Sequence, residues 1–337
     1  LRRHGKMGRK EIAEATGLSI PTVWRLINEL MEAGIVKEVA SPGPNKTPGR
    51  KTNLIDINSD GGWVVAVDVG ASHVTAAATD LTGVIFDSVQ KSLEGLKGEE
   101  AVSPVIASAI RKIVRRTEKL RGAPKAVGIC VTGTVDYDLG IVKLSFNLQL
   151  EDFHIAELVR GICDVPIVTQ NVIEGATLAE ARLGHGRANP SFAYVSIGVG
   201  VGSAYVLNRE IYNPGTRGEF GLTVVAPEGD PNRFGGIGYL EALASGSGIA
   251  ASARRAIEAG ADTIVGELVQ GNLQSITARI VAEAAKKGDK VALDIFARAA
   301  EYLAIAIVNA SNILGLRLFV LNGGVSKSGD IFWNPLR

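Results

Sequence analysis

The chain has 337 residues, of which 46% are hydrophobic and 21% charged, a composition typical of a folded protein with two or three domains. Two cysteines exclude a disulfide framework and a zinc–cysteine cluster, and no apolar run reaches membrane-spanning length. The basic start "LRRHGKMGRK" lacks the apolar region of a signal peptide, so we expect a cytoplasmic protein. Because the chain starts at Leu1 and stops at "FWNPLR", we also expect residues missing from both ends.

The net charge of +1 is unevenly distributed along the chain. Residues 1–51 carry ten Lys and Arg against five Asp and Glu, whereas the remainder carries 26 against 30. A basic head on an acidic body suggests that the head meets a polyanion.

The first predicted element is a helix-turn-helix. In "RKEIAEATGLSIPTVWRL", Gly17 is expected to end a first helix, because a sharp turn there needs a positive φ. Ser19 is expected to cap a second helix, with Pro21 in the first turn, where a missing N–H costs little. Apolar residues then recur at helical spacing, and we expect Leu26 and Leu30 to face the core. Two helices joined in this way predict a helix-turn-helix.

The polar residues of this head are of types that bind DNA. The outward face of the second helix is expected to offer a hydroxyl, a guanidinium and an amide, which read base edges. After Gly34, "IVKEVASPGPNKTPGRKTNLIDIN" predicts a strand, a tip and a returning strand, and such a wing reaches phosphate or the minor groove. The alternative is a protein-interaction module with a solvated basic face, but turn, cap, periodicity and wing together favour DNA. The predicted DNA contacts are Ser19, Thr22, Arg25, Asn28, Lys46, Arg50 and Lys51.

From Trp63 onward the sequence predicts a body of alternating strands and helices. "WVVAVDVGASHVTAAATDLTGVIFDSV" predicts three strands, and the hairpin pattern recurs at "FAYVSIGVGVGSAYVLNREIY". Two lobes that each begin with a hairpin are the internal repeat of the actin-like fold. We therefore expect an α/β protein, with a winged helix-turn-helix at residues 1–57 followed by an actin-like (ribonuclease H-like) two-lobed sugar-kinase fold. The lobes are expected at residues 58–169 and 170–337.

Head and body together resemble the ROK family of bacterial repressors and sugar kinases. "TPGRK" at 47–51 stands where members carry a similar wing motif. "VTGTVD", "SFNLQLED", "TQNVIEGATLAEARLGHG", "GTRGEFGL", "LEALASG" and "LFVLNGGVSKSGD" are similar to family motifs in the same order and spacing. The resemblance covers nearly the whole chain and implies two kinds of site. The implied sugar-binding residues are Gly133, Asn147, Asn171, Glu219 and Glu241. The implied nucleotide-binding positions are Asp68, Gly70, Ser72, Gly198, Gly200, Gly323 and Gly324.

The sugar residues also have structural interpretations. Asn147 and Asn171 are types that satisfy loop backbone, whereas Glu219 suits the cap of a turn and Glu241 the cap of a helix. Because the carbohydrate-binding types are kept at all these family positions, we favour a polar ligand pocket.

The resemblance breaks at the catalytic base. Family kinases use the Asp that follows an Asn to take the proton of the sugar hydroxyl, but here Val172 follows Asn171. Valine accepts no proton, and loss of a general base costs on the order of 10²–10⁴ in rate. Glu174 lies two positions on and is expected to point to a different face of a helix. We therefore expect no kinase activity.

Two further family features have changed. The phosphate loops carry His73 where kinases tend to have Lys, and Val199 where they have Thr, so the nucleotide-binding positions are interpreted as vestigial. The family's zinc ligands are also absent, and we expect neither a metal nor a cofactor. The four ligand places hold Leu222, Asn232, Phe234 and Tyr239.

The sequence thus favours a transcriptional regulator, most simply a repressor. It is expected to bind a palindromic operator in double-stranded DNA as a homodimer or higher homo-oligomer, and to sense a small carbohydrate effector. One alternative is an ATP-dependent sugar kinase with an appended DNA-binding head. A second is a regulator switched by a protein partner.

Overall fold

The structure is a computed structural model that describes residues 1, 4–40, 53–212, 219–227 and 237–337. The chain divides into two compact units, Leu1–Val172 and Ile173–Arg337. Among the described residues, no helix combines the length and apolar character needed to cross a bilayer.

Helices and strands alternate along both units. The helices are α1 (Arg9–Thr16), α2 (Ile20–Glu32), α3 (Glu99–Arg121), α4 (Ile155–Arg160), α5 (Val172–Leu183), α6 (Leu240–Ala244), α7 (Gly246–Glu258), α8 (Val265–Leu268), α9 (Ala278–Lys286), α10 (Lys290–Leu314) and α11 (Asp330–Leu336). The strands are β1 (Val36–Val39), β2 (Leu54–Ile57), β3 (Trp63–Val69), β4 (His73–Asp80), β5 (Ile85–Ser92), β6 (Val127–Val131), β7 (Thr134–Asp136), β8 (Ile141–Ser145), β9 (Leu150–Phe153), β10 (Ile167–Asn171), β11 (Phe192–Ile197), β12 (Val201–Leu207), β13 (Glu210–Ile211) and β14 (Phe319–Asn322).

The head of the first unit is a winged helix-turn-helix. Gly17 ends α1 with a φ of 69°, and the Ser19 hydroxyl accepts a hydrogen bond from the Thr22 N–H at the start of α2, as predicted. Strands β1 and β2 pair antiparallel and form the base of the predicted wing.

The prediction that Leu26 and Leu30 face the core of the head is wrong, because the buried face of α2 is the neighbouring one. Val23 and Ile27 are buried, whereas Leu26 is half-buried and Leu30 is 37% exposed. Both stripes are apolar, so periodicity alone does not choose between them. Val23 and Ile27 are the buried pair because they pack in one cluster with Val36 and Ile55 of the wing strands.

The rest of the first unit is built on a five-stranded sheet in the order β10-β6-β3-β4-β5. Strands β3, β4 and β5 pair antiparallel, and β6 and β10 add in parallel. Buried and less buried residues alternate along β3, so Trp63 and Val67 enter the core that contacts α3 while Asp68 lies on the opposite face. A smaller sheet, β7-β8-β9, follows β6.

The second unit has a four-stranded sheet in the order β13-β12-β11-β14. Strands β11 and β12 form its leading hairpin, the counterpart of β3 and β4 in the first unit. One side of α10 is buried against α6, α7, α9 and α11. The predicted fold class, a winged helix-turn-helix joined to a mixed α/β body with repeated hairpins, is confirmed.

Candidate functional site

The outward face of α2 carries the predicted base-reading side chains. Arg25 and Asn28 are exposed, whereas Thr22 is half-buried and its hydroxyl lies 2.8 Å from that of Ser19. The guanidinium of Arg25 donates to the carboxylate of Glu29 one turn later, at 2.6 Å. Exposed pairs of this kind contribute about 0.3–0.5 kcal/mol, so a DNA acceptor can replace Glu29 at small cost. The basic tip residues Lys46, Arg50 and Lys51 lie outside the described residues.

The first predicted phosphate loop is the turn between β3 and β4. The Gly70 N–H donates to the His73 carbonyl at 3.0 Å, and the Ser72 hydroxyl lies 3.0 Å from His73 Nδ1. Asp68 precedes this turn on a sheet face that reaches solvent. Desolvation by the surrounding protein raises the pKa of the Asp68 carboxyl, and the nearby His73 offsets part of that rise.

Two of the predicted sugar residues in the first unit are joined directly. Asn171, at the end of β10, is buried, and its Nδ2 donates to the Gly133 carbonyl at 2.6 Å. Gly133 has a φ of 116°, and a Cβ there would overlap the backbone of Leu144 and Ser145. Asn147 is exposed, and its backbone carbonyl accepts from Lys97 Nζ. The Asn171 amide therefore supports the Gly133 turn.

The position at which the family resemblance implies a catalytic base lies at the start of α5. Val172 is the first residue of that helix and Glu174 the third, and both are half-buried. Successive helical residues turn by about 100°, so side chains two positions apart point in nearly opposite directions. The expectation that Glu174 faces away from the Val172 position agrees with this helix.

The second predicted phosphate loop, Gly198 to Gly200, is hydrogen-bonded to the corner between α6 and α7. The first two N–H groups of α7, from Gly246 and Ser247, donate to the carbonyls of Gly198 and Val199 at 2.7 and 3.2 Å. Oε2 of Glu241 in α6 accepts from the Val201 N–H at 3.0 Å. Three hydrogen bonds thus fix the loop from the helix side.

Close packing explains two glycines around this corner. A Cβ on Gly200 would lie 2.5 Å from Glu241 Oε2, and one on Gly221 would lie 2.5 Å from the Val201 carbonyl. A Cβ on Gly198, in contrast, would meet no atom within 4 Å. Sequence reasoning missed the bond from Val201 to Glu241, because nothing local links residues 40 positions apart.

The remaining predicted positions of the second unit are Gly323, Gly324 and Glu219. Gly323 has a φ of 106° and packs against the Ile197 backbone, and Gly324 follows it. Glu219 is exposed, and its backbone carbonyl, rather than its side chain, accepts from the Leu222 N–H at 2.9 Å.

Two of the four places where the family resemblance implies zinc ligands lie within the described residues. Leu222 ends a short 3-10 turn, and Tyr239 pairs with Val224 in an isolated bridge before α6. Asn232 and Phe234 lie outside the described residues. Within the described part of the chain, no group of three or more His, Cys, Asp or Glu residues is arranged to hold a metal.

Comparison with known families identifies the body and the head separately. The ROK family profile matches residues 64–337, and a winged helix-turn-helix DNA-binding profile matches residues 1–37. The chain therefore belongs to the ROK family.

Relatives of this chain include both regulators and kinases. The xylose repressor of Caldicellulosiruptor bescii is 25% identical over 335 residues, covering 98% of this chain and 82% of that protein. The glucokinase of Halalkalibacterium halodurans is 30% identical over 278 residues, covering 82% of this chain and 84% of that protein. The crystal structure of a ROK family transcriptional regulator, a homologue of the Escherichia coli MLC protein, has a TM-score of 0.81 at 20% identity. It covers 98% of this chain and 82% of that one, which shows a shared fold.

Proposed function

We propose that this protein is a sugar-responsive, DNA-binding transcriptional repressor of carbohydrate-metabolism genes. The winged helix at residues 1–57 binds a palindromic operator, and the chain acts as a homodimer or higher homo-oligomer in the cytoplasm. The kinase-like lobes at residues 58–169 and 170–337 bind a small carbohydrate effector. Binding of the effector in the body changes the affinity of the head for DNA, a coupling between two distinct sites.

One observation carries this proposal. A formed helix-turn-helix, with its cap at Ser19 and exposed Arg25 and Asn28, precedes a ROK body in the same chain. The similarity to a xylose repressor extends over 98% of the chain, whereas that to a glucokinase extends over 82%. D-xylose is accordingly the first effector to test, with contacts proposed at Gly133, Asn147, Asn171, Glu219 and Glu241.

In this proposal the body binds carbohydrate without phosphorylating it. Val172 offers no lone pair at the start of α5, and a hydroxyl nucleophile needs a base within hydrogen-bonding reach. The 30% identity to a glucokinase supports the alternative of an active sugar kinase. A coupled assay for ADP release with D-glucose, D-xylose and a hexose panel separates the two functions. Turnover near 10 per second, as in ordinary enzymes, would establish the kinase.

The DNA-binding half is tested by selecting duplexes from a random library with the purified full chain. A palindromic consensus is expected, and affinity for it should fall steeply with salt because Lys and Arg displace counterions from phosphate. Failure to enrich any duplex would contradict the proposal. If DNA binds but no carbohydrate raises the melting temperature, a protein partner becomes the better explanation of the switch.

A further inference from the structure

Arg9 is a basic residue of the winged helix whose side chain is largely buried. It is the first residue of α1, yet its side chain is only 10% exposed. Its guanidinium carbon lies 4.0 Å from the ring centroid of Trp24 in α2, a cation–π distance. Its Nη1 donates to Oε1 of Glu38 in β1 at 2.6 Å. Stacked on one side and paired on another, Arg9 is not presented to a phosphate.

Glu38 extends this contact to the second strand of the wing. Its Oε2 accepts from the amide nitrogen of Asn53, the residue before β2, at 2.7 Å. The hydrogen bond from Arg9, followed by that from Asn53, holds the pKa of the Glu38 carboxyl below its ordinary value. Glu38 is therefore ionised at neutral pH and bonded from both sides.

Backbone pairing brings the same segments together independently. Met7 and Ile55 exchange two backbone hydrogen bonds, of 2.8 and 3.2 Å, so the residues before α1 lie against β2. Ile55 is also the partner of Glu38 across the wing. The Arg9–Glu38–Asn53 cluster thus joins α1, both wing strands and, through Trp24, the helix expected to read DNA.

We propose that Arg9 and Glu38 are positioning residues for DNA binding, which set the wing relative to α2 without contacting DNA themselves. The inference rests on the proposed DNA-binding function and deepens it. When α2 and the wing contact the same duplex, binding is tighter if their relative position is already fixed in the free protein, because ordering them on binding costs free energy. The cluster is suited to that task, because the planar guanidinium of Arg9 stacks on Trp24 while it donates to a carboxylate whose other oxygen accepts from Asn53.

Glu38→Gln gives the sharpest test, because the two possible roles predict opposite signs. A carboxylate near DNA repels phosphate, so its neutralisation should raise affinity if Glu38 acts only through charge. If it positions the wing, Glu38→Gln weakens binding of the library-selected duplex, by about 10-fold, since a charge-assisted bond is lost. The nearly isosteric side chain preserves the fold, which circular dichroism and the melting temperature verify.

Arg9→Gln complements this test, with Lys10→Gln as a matched removal of one positive charge from the exposed neighbouring position of α1. Arg9→Gln should weaken binding about as much as Glu38→Gln, while the slope of log affinity against log salt stays that of the wild type. A direct phosphate contact would instead lower that slope by about 1. Arg9→Lys keeps the charge but loses the planar guanidinium that stacks on Trp24, and it should recover little of the affinity.

The inference is overturned if Glu38→Gln binds as tightly as the wild type or more tightly, or if Arg9→Gln lowers the salt slope. Both results leave the proposed function standing, because the wild-type chain still binds its duplex. Failure of the wild-type chain to bind any selected duplex removes the proposed function and this inference together.

Discussion

Gly200→Ala should loosen the second predicted phosphate loop, whereas Gly198→Ala two residues earlier should not. A Cβ at position 200 lies 2.5 Å from Glu241 Oε2, so the carboxylate must withdraw by about 1 Å to reach ordinary contact. That movement breaks the 3.0 Å bond from the Val201 N–H. A hydrogen bond to a charged group contributes about 1.5–3 kcal/mol.

The matched pair isolates this bond. Neither glycine has a φ in the left-handed region, so both alanines fit the backbone and both gain about 0.4–1 kcal/mol from the unfolded chain. The difference between the variants is then about 1.5–3 kcal/mol, with Gly198→Ala slightly more stable than the wild type. Since one kcal/mol shifts the melting temperature of a unit of this size by about 2–4 °C, the midpoints should differ by roughly 3–12 °C.

Differential scanning calorimetry measures both midpoints. Because Glu241 is also a proposed carbohydrate contact, Gly200→Ala should reduce the stabilisation by an effector sugar, while Gly198→Ala should retain it. Equal midpoints for the two variants would refute the assignment of Glu241 as a support of the loop.

Three further predictions concern DNA, stability and metal. Arg25→Ala should relax the sequence preference of the selected duplexes, whereas Arg50→Ala should weaken all DNA about equally and lower the salt slope by about 1; competition binding on matched and scrambled duplexes decides. Asp289 caps α10 by accepting from Ala292 and also accepts from the Ile264 N–H, both at 2.8 Å, so Asp289→Ala should cost about 2–3 kcal/mol in urea unfolding. Burial raises the pKa of the Asp289 carboxyl, but the hydrogen bonds that it accepts outweigh burial and hold the pKa below its ordinary value of 3.8. The stabilisation by Asp289 is therefore fully present above pH 3.8, and it is lost as the pH falls through the pKa of the folded protein. With leucine, asparagine, phenylalanine and tyrosine in the four places where the family resemblance implies zinc ligands, elemental analysis should find no stoichiometric zinc; one zinc per chain would contradict this expectation.

Local signals in the sequence predicted the elements well. Gly17 and Ser19 act through their own neighbours, and a positive φ and an N-cap follow from residue type. The apolar runs that follow Trp63 likewise predicted the three strands β3, β4 and β5 from their own residues.

What failed or was missed depends on contacts between distant positions. The buried face of α2 includes Ile27 rather than Leu30, because Ile27 packs against the wing strands. Arginine is a residue type that binds phosphate, but the Arg9 side chain is buried against Glu38, which lies 29 positions away in the sequence. Glu241 matches a sugar-binding position, yet its bond to Val201 also makes it part of a loop. Such pairings are set by tertiary packing, which residue type and spacing do not encode.

The central claim is that carbohydrate binding in the kinase-like body controls DNA binding by the head. The most direct test is fluorescence anisotropy of the selected duplex with the full chain, titrated with D-xylose, D-glucose and related sugars in the absence of ATP. Coupling of 1–3 kcal/mol between two sites corresponds to a change of about 5–150-fold in DNA affinity, and we expect at least one sugar to produce a change of this size. An affinity for DNA that no sugar alters, combined with rapid phosphorylation of a sugar once ATP is added, would contradict the account.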